Sequence, residues 1–209
     1  MDIAISILAL TVLSPVFIAV AAALKIEGQG GSVFYGGKRI GLKNRQFSCW
    51  KIRSMEPDSD HLLDAYLEAN PGAKKDWEKY RKLPNDPRIT TRTARIIRKT
   101  SIDELPQLWN VLKGEMSLVG PRPEVRKYVD LYSQEDLIVL SVRPGITDYA
   151  SIHFRNENEL LKDAPDPEQL YINEIMPEKL ALNKKYVFEK AYFKDVNILF
   201  KTFKVVLNS

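Results

Sequence analysis

The sequence predicts an α+β protein in which an apolar N-terminal membrane segment precedes a mixed, helix-rich domain. Three observations support this prediction: an apolar stretch over residues 3–24, two strand-like stretches within residues 33–53, and helical spacing of apolar side chains in later stretches. The 209 residues are enough for one sizeable domain and an appendage. We therefore assign residues 1–27 to the membrane segment and residues 28–209 to the domain.

The apolar segment is interrupted near its centre by Ser14 and Pro15. Length alone favours a membrane-spanning helix, since a helix rises about 1.5 Å per residue. Pro15 predicts a kink, at which the Ser14 hydroxyl can bind the freed carbonyl of Thr11. A break at this depth also permits a re-entrant path with both ends on one side. The basic residues that begin at Lys25 place the domain in the cytosol.

The chain is moderately basic, with 31 Lys and Arg against 27 Asp and Glu. Residues 38–53 carry bases without acids, and residues 56–70 carry acids without bases. Such clusters attract lipid, nucleic acid or phosphorylated substrates, although a solvated face is the commoner explanation. The single cysteine, Cys49, excludes an intramolecular disulfide and is predicted to be a buried, inert thiol. The two histidines are too few for a structural zinc site.

The first part of the domain is predicted to contain a strand pair, over residues 33–35 and 47–53. We assign its glycines to turns, because their spacing matches neither a P-loop nor a dinucleotide-binding motif. These glycines are Gly28, Gly30, Gly31, Gly36 and Gly37.

Residues 56–82 are predicted to be helical with an interruption at residues 70–72. Within them, Asp58 and Asp60 form an Asp-x-Asp pattern that holds a divalent ion in some nucleotide-sugar enzymes. Chance occurrence in an acidic loop is the commoner explanation.

A predicted basic helical stripe follows and leads towards Asp103. It has two interpretations, a surface that contacts lipid headgroups or a diphosphate, and an ordinary solvated face. Its members are Arg88, Arg92, Arg95, Arg98 and Lys99.

The central helix is predicted from Leu105 to its end near Gly114. Ser101 and Glu104 have the spacing of a capping box. Asp103 lies at the electropositive end of this helix, which would keep its carboxylate ionised. In one interpretation both acids only complement the helix dipole. In the other, Asp103 is a nucleophile that attacks phosphorus with help from a metal, and Glu104 has a different role.

Two proline-flanked arginines, Arg122 and Arg143, follow this helix. Their stiffened backbones make them candidate phosphate ligands, since a guanidinium binds phosphate with two parallel donors. Residues 157–178 are predicted to be loops with one short helix. Residues 180–207 have a basic amphipathic pattern that suits packing on the core or lying in a membrane interface.

The block from Thr100 to Pro123, reading TSIDELPQLWNVLKGEMSLVGPRP, resembles the bacterial sugar transferases, also called monotopic phosphoglycosyl transferases. The similarity extends over nearly the whole chain, through residues 2–15, 47–55 and 143–147. It implies a re-entrant, helix-break-helix membrane segment with its break at Ser14 and Pro15. It further implies a helix-rich catalytic domain with interfacial amphipathic helices on the cytoplasmic face of the bacterial inner membrane.

The resemblance also implies a reaction. A sugar-1-phosphate passes from a UDP-sugar to undecaprenyl phosphate with release of UMP, which begins the synthesis of a surface glycan. Asp103 would form a covalent phosphosugar intermediate and bind Mg²⁺, with Glu104 as its partner acid. The implied phosphate-binding residues are Lys51, Arg98, Arg122 and, in addition, Arg143. Nucleic acid is not an expected partner, whereas membrane lipid is, and a homodimer is an open alternative.

The chain departs from the family's commoner residues at several positions. Gly37 stands near the place of a usual glutamine, Ala94 replaces a frequent glycine, and residues 148–152 replace the commoner Gly-Leu-Ala-Gln-Val. The identity of the sugar therefore does not follow from the resemblance. Two other functions are open, a direct-transfer glycosyltransferase that uses Asp58 and Asp60 for metal, and a non-enzymatic membrane scaffold.

Overall fold

The structure, a computed structural model, describes residues 1–80, 83, 86–162 and 164–207. It is a mixed α+β, helix-rich fold, as predicted. Two small sheets hold strands β1 (Phe34–Ile40), β2 (Gln46–Ile52), β3 (Ser117–Val119) and β4 (Gly145–Thr147). The helices are α1 (Asp2–Ile26), α2 (Ser59–Ala69), α3 (Pro71–Tyr80), α4 (Arg92–Thr100), α5 (Gln107–Leu112), α6 (Arg126–Val129), α7 (Tyr149–His153), α8 (Glu157–Lys162), α9 (Pro167–Leu170), α10 (Met176–Glu189) and α11 (Tyr192–Leu207).

Helix α1 is continuous from Asp2 to Ile26 and contains Pro15. Its length and composition are sufficient to cross a membrane. Because a proline lacks an amide hydrogen, Pro15 leaves the Thr11 carbonyl without its helical donor. The Ser14 hydroxyl donates to that carbonyl at 2.8 Å, which confirms the predicted compensation. The structure does not show a helix-break-helix hairpin, so the re-entrant path stays a prediction.

One side of α1 packs along the domain, while large apolar side chains on its other side are exposed. Ala9, Leu10 and Leu13 pack against the core cluster that contains Leu108 and Val111 of α5. Further along, Phe17, Val20 and Leu24 pack with Ala94 and Ile97 of α4. At the N-terminal end, the Ser117 hydroxyl donates to the Asp2 carboxylate at 2.6 Å. The domain therefore contacts α1 near both of its ends.

Strands β1 and β2 form the predicted pair, and they are antiparallel. The assignment of Gly36 and Gly37 to turns was wrong, because both lie inside β1. Gly36 pairs with Trp50, whose indole lies 3.4 Å from the position that a Cβ at Gly36 would take. The side chains of Ser48 and Trp50 thus line the space that a side chain at Gly36 would need.

The acidic region forms α2 and α3, as predicted. The interruption consists of Asn70 alone, because Pro71 begins α3. Residues 81 and 82, the end of the predicted helical region, lie outside the described residues.

Strands β3 and β4 are parallel, and they bring the two proline-flanked arginine loops together. The Gly120 N–H donates to the Thr147 carbonyl at 3.0 Å, and the Gly145 N–H donates to the Pro121 carbonyl at 3.0 Å. A Cβ on either glycine would collide with the backbone of the other loop. Only glycine permits this approach at these two positions.

The C-terminal third is more helical than predicted. The prediction of loops with one short helix over residues 157–178 was wrong in its extent of helix, since α8, α9 and the start of α10 lie there. Pro167 occupies the first turn of α9, where a missing amide hydrogen leaves no helical bond unmade. Pro177 follows one turn of π-helix, Tyr171–Ile175, that leads into α10.

Helices α10 and α11 confirm the predicted amphipathic pattern over residues 180–207. Tyr186 and Ile198 are buried in the core, whereas Phe193, Phe200 and Phe203 are exposed on α11. One face of this pair therefore packs on the domain, and an aromatic and basic face remains open.

Candidate active site

The two acids lie on a tight turn between α4 and α5. Ser101 ends α4 in the left-handed conformation, with φ 57°, and residues Ile102–Glu104 form one turn of 3₁₀ helix before α5. The predicted helix is confirmed over Gln107–Leu112, and Gly114 follows it with φ 74°. The predicted capping box was wrong, because the Ser101 side chain makes no capping hydrogen bond. The left-handed turn redirects the chain, so that Glu104 faces other partners.

Glu104 is held by two cations from distant parts of the chain. Lys51 Nζ lies 2.7 Å from Glu104 Oε1, and Arg122 Nη1 donates to Oε2 at 3.0 Å. The second Arg122 nitrogen, Nη2, donates to Oε1. Burial alone would raise the pKa of Glu104, but the charges of Arg122 and Lys51 outweigh it and lower the pKa to about 2. Glu104 is therefore an ionised, fully engaged carboxylate.

Asp103 is in a different environment although it is the adjacent residue. Among the described residues, no other side chain donates a hydrogen bond to its half-buried carboxylate. Burial raises the pKa of Asp103, and the charge of Lys51 only partly offsets this effect. The expectation that the helix terminus keeps this carboxyl ionised stays a prediction. The site has a carboxyl group that a further cation would stabilise in its charged form.

Asn110 fixes the position of Lys51, and sequence reasoning did not identify it. The side chain of Asn110 is fully buried on α5. Its Oδ1 accepts from the Trp50 N–H at 3.0 Å, and its Nδ2 donates to the Ser48 carbonyl at 2.8 Å. The amide thus pairs with β2 as a neighbouring strand would, and it holds the residue before Lys51 against the helix that follows Glu104.

Arg122 is positioned by the β3–β4 pair and by Asp148. The Arg122 backbone N–H donates to Asp148 Oδ2 at 3.1 Å. Asp148 is completely buried, and burial raises its pKa despite the hydrogen bonds from Ser151 and Arg122. The sequence marks Asp148 only as the first residue of a departure from the family resemblance, and this contact was not predicted.

The other predicted phosphate ligands lie at different distances from the acids. Arg98, on α4, donates to the Ser54 hydroxyl at 3.3 Å, and its charge lowers the pKa of Asp103. The Arg143 guanidinium lies beside Gly114, 3.7 Å from where a Cβ at that residue would be. Since Gly114 follows α5 and Glu104 precedes it, Arg143 is at the opposite end of this helix. Its role in phosphate binding stays a prediction.

The predicted basic stripe needs one correction. Arg88 precedes α4 and is not part of its helical face. It forms an ion pair with Asp86 at 2.6 Å, and its guanidinium lies 5.0 Å from the Trp77 ring centroid. Arg88 is therefore bound into local structure, whereas Arg92, Arg95, Arg98 and Lys99 are exposed on α4.

The Asp-x-Asp pattern lies at the start of α2, where Asp58 and Asp60 are both exposed. Asp58 Oδ1 is 3.8 Å from His61 Nε2. Within the described part of the chain, no hydrogen bond or ion pair connects these two aspartates to Lys51, Glu104 or Arg122.

Cys49 is buried beside the site, and burial raises the pKa of its thiol. The prediction that this thiol is buried is confirmed, and its inertness stays a prediction.

The described residues contain no group of three or more His, Cys, Asp or Glu side chains able to hold a metal ion. Mg²⁺ needs fewer protein ligands when substrate phosphates and water complete its coordination. Asp103 fits such a site, because within the described residues no cation forms an ion pair with its carboxylate, and a bound cation would offset the burial that raises its pKa. Glu104 fits less well, since Lys51 and Arg122 already occupy its oxygens.

The sequence profile described as "Bacterial sugar transferase" matches residues 1–209. The exopolysaccharide production protein ExoY of Rhizobium meliloti is 38% identical over 205 residues, which cover 98% of this chain and 83% of that protein. An undecaprenyl-phosphate galactose phosphotransferase of Salmonella typhimurium is 40% identical over 206 residues, covering 99% of this chain and 40% of the relative. A UDP-N-acetylgalactosamine-undecaprenyl-phosphate N-acetylgalactosaminephosphotransferase of Aeromonas hydrophila is 34% identical over 210 residues, which cover 99% of this chain and 43% of the relative.

Proposed function

This chain belongs to the bacterial sugar transferase family, and from that membership we propose that it transfers a sugar-1-phosphate from a UDP-sugar to undecaprenyl phosphate. The names of the Salmonella and Aeromonas relatives support the lipid carrier and the transferred group. UMP is the second product, because cleavage between the two donor phosphates leaves the nucleoside with one of them. The lipid-linked sugar would begin the synthesis of a surface polysaccharide.

The observation that carries this proposal is the different state of two adjacent carboxyl groups. Glu104 is saturated by Lys51 and Arg122, whereas Asp103 has no cationic partner within hydrogen-bonding distance among the described residues. A nucleophile needs free lone pairs, and Asp103 has them. Glu104 instead holds Lys51 and Arg122 close to the reacting group.

We propose two displacement steps. First, an oxygen of ionised Asp103 attacks the β-phosphorus of the donor, and the bond to the bridging oxygen breaks. The electron pair leaves with UMP, and an aspartyl phosphosugar remains. Next, an oxygen of undecaprenyl phosphate attacks the same phosphorus and releases the Asp103 carboxylate. No oxidant, reductant or net proton transfer to the protein is needed.

The cations of the site bind and orient the donor. The Arg122 side chain is 40% exposed, so its guanidinium can contact a diphosphate while it keeps its hydrogen bonds to Glu104. Arg98 approaches the acids from α4 and adds a second guanidinium. When bound by Asp103, Mg²⁺ would neutralise phosphate oxygens and keep that carboxyl ionised.

We also propose that α1 lies in the inner membrane with the domain on the cytoplasmic face. The contacts of Asp2 with Ser117 and of Leu24 with α4 support a path in which both ends of α1 stay on one side. The exposed aromatic and lysine side chains of α11 suit the lipid interface beside it. A lipid-linked acceptor would reach Asp103 without leaving the membrane surface.

The proposal is tested by incubating the purified protein with Mg²⁺ and a panel of UDP-sugars, followed by intact mass spectrometry and measurement of UMP. We expect a mass increase of one phosphosugar that is lost on addition of undecaprenyl phosphate. Asp103→Asn should abolish both the adduct and UMP release, whereas Asp58→Asn should leave them unchanged.

Release of UDP without a protein adduct, abolished by Asp58→Asn and kept in Asp103→Asn, would favour a direct-transfer glycosyltransferase that uses Asp58 and Asp60. Absence of any Mg²⁺-dependent release of UMP or UDP from the whole panel would favour a membrane scaffold.

A further inference from the structure

We propose that Asp148 is a positioning residue for Arg122. This inference rests on the proposed function, because it assigns Asp148 a role through a phosphate-binding arginine. Asp148 is completely buried and takes no part in the two displacement steps. A buried carboxylate is costly unless its oxygens have hydrogen-bond donors, so its partners indicate its role.

The first partner is the Arg122 backbone. Residues 121–123 read Pro-Arg-Pro, and proline has no amide hydrogen. The Arg122 N–H is therefore the single main-chain donor of this segment, and Asp148 Oδ2 accepts it at 3.1 Å.

This contact extends the β3–β4 pairing by one step. The Gly120 N–H donates to the Thr147 carbonyl at 3.0 Å. Two residues further along the same strand direction, the Arg122 N–H meets the Asp148 side chain in place of a backbone carbonyl. The loop that carries Arg122 is thus anchored to the end of β4 up to the residue whose guanidinium holds Glu104.

The second partner fixes the carboxylate itself. Asp148 is the N-cap of α7, and its Oδ1 accepts from the Ser151 N–H at 2.5 Å. Each carboxylate oxygen therefore has its own backbone donor. An asparagine offers only one acceptor oxygen, so it cannot reproduce both hydrogen bonds. The two backbone donors therefore favour an aspartate over an asparagine at this position.

The test is a double-mutant cycle on full-length protein, with Asp148→Ala, Arg122→Gln and their combination. We expect Asp148→Ala to lower kcat/KM for the UDP-sugar by about 10- to 100-fold, as small displacements of positioning groups do. In the Arg122→Gln background, the same change should lower it by less than about 2-fold, since the guanidinium to be positioned is gone. Equal losses in both backgrounds would mean a merely structural role and would overturn the inference.

Asp166→Ala is the matched control. Asp166 also caps a helix, α9, through hydrogen bonds from Glu168 and Gln169, but it contacts none of the site residues described above. Asp166→Ala should be less stable than wild type, because the N-cap hydrogen bonds of α9 are lost, and its kcat/KM should be unchanged. A loss of kcat/KM equal to that of Asp148→Ala would also overturn the inference.

Hydrogen exchange separates this inference from the proposed function. Arg122 has the only exchangeable backbone amide among residues 121–123. Asp148→Ala should make this amide exchange at least about 10-fold faster, whether or not the protein accepts UDP-sugars. An unchanged exchange rate would refute the contact. If the wild-type protein releases no UMP while the amide responds as expected, the proposed function fails and the positioning contact stands.

Discussion

Lys51 Nζ lies 2.7 Å from Glu104 Oε1, and this contact joins the second strand of the hairpin to the turn that carries both acids. Arg122 reaches the same carboxylate from a loop 18 residues further along the chain. Three separate parts of the sequence therefore converge on one side chain.

Glu104→Gln removes the charge that balances Lys51 and Arg122. We expect a loss of about 1–2 kcal/mol in the free energy of unfolding, because the partial exposure of Arg122 lets water replace some of the lost interaction. UMP release should fall as the two cations separate. Urea unfolding in detergent measures the first effect. Glu68→Gln, on the exposed face of α2, is the control and should change neither quantity; equal effects at both positions would contradict this role of Glu104.

Asn110→Ala leaves the Trp50 N–H and the Ser48 carbonyl without their side-chain partner. Each buried polar group left unpaired costs about 1–3 kcal/mol, so we expect a destabilisation of about 2–4 kcal/mol. Activity should also fall, because β2 carries Lys51. Asn197→Ala, at an exposed position of α11, should stay within about 0.5 kcal/mol of wild type. If Asn110→Ala is as stable as this control, the hydrogen bonds of Asn110 to β2 do not contribute to stability.

Gly145→Ala places a methyl group against the backbone of Gly120. The β3–β4 pair would have to separate, so we expect a destabilisation of more than about 3 kcal/mol or no folded protein. Gly72→Ala is the opposite case within the same chain. Its new methyl group meets nothing within 4 Å on α3, and a helical alanine should raise stability by about 0.5–1 kcal/mol. Thermal unfolding of both variants tests this prediction. It is wrong if both unfolding temperatures shift in the same direction from that of wild type.

The ion pair between Asp136 and Lys184 predicts a pH dependence of stability. Hydrogen bonds from Lys184 and Ser133 hold the pKa of Asp136 below its ordinary value. A lowered folded-state pKa contributes stability that is complete above the unfolded-state pKa, about 3.9, and is lost as the pH falls through the folded-state pKa. Asp136→Asn should therefore be less stable than wild type by up to about 1 kcal/mol at pH 7. This difference in the free energy of unfolding should be smaller at pH 3. A difference that does not change with pH would mean that titration of Asp136 is not its source.

The contacts at both ends of α1 predict a re-entrant topology. Cysteines replacing Ile3 and Ile26, both exposed, report the two ends separately in a Cys49→Ala background. In intact cells, an impermeant thiol reagent should label neither position from the periplasm, and both should react after the inner membrane is opened. Periplasmic labelling of Ile3→Cys alone would establish a spanning helix.

Local pattern was enough to predict much of the fold. The apolar stretch over residues 3–24 predicted α1, and the spacing of Leu105, Leu108 and Leu112 predicted α5. The mixed aromatic and basic pattern of residues 180–207 predicted the amphipathic helices α10 and α11. Errors arose where one residue type has two uses. Residues 157–178 were predicted to be loops with one short helix although α8, α9 and the start of α10 lie there, and Gly36 and Gly37 were assigned to turns although they lie within a strand.

The site was predictable only in part. The acids and the two proline-flanked arginines were visible as motifs, yet sequence spacing could not show which cations meet which acid. That Asp103 and Glu104 have opposite pKa shifts depends on contacts with residues 51 and 122, which are far apart in the sequence. Asn110 and Asp148 were missed because a buried polar residue that serves the backbone has no sequence signature of its own.

The packing of α1 means that this helix is not a detachable anchor. Leu10 and Leu13 complete the same apolar core as Leu108 and Val111, which lie just after the acids. A version of the protein without α1 would expose that core and loosen the packing of α5, the helix that follows Asp103. With α1 in a bilayer, as proposed, a change in the surrounding lipid would therefore be felt in the packing of α5.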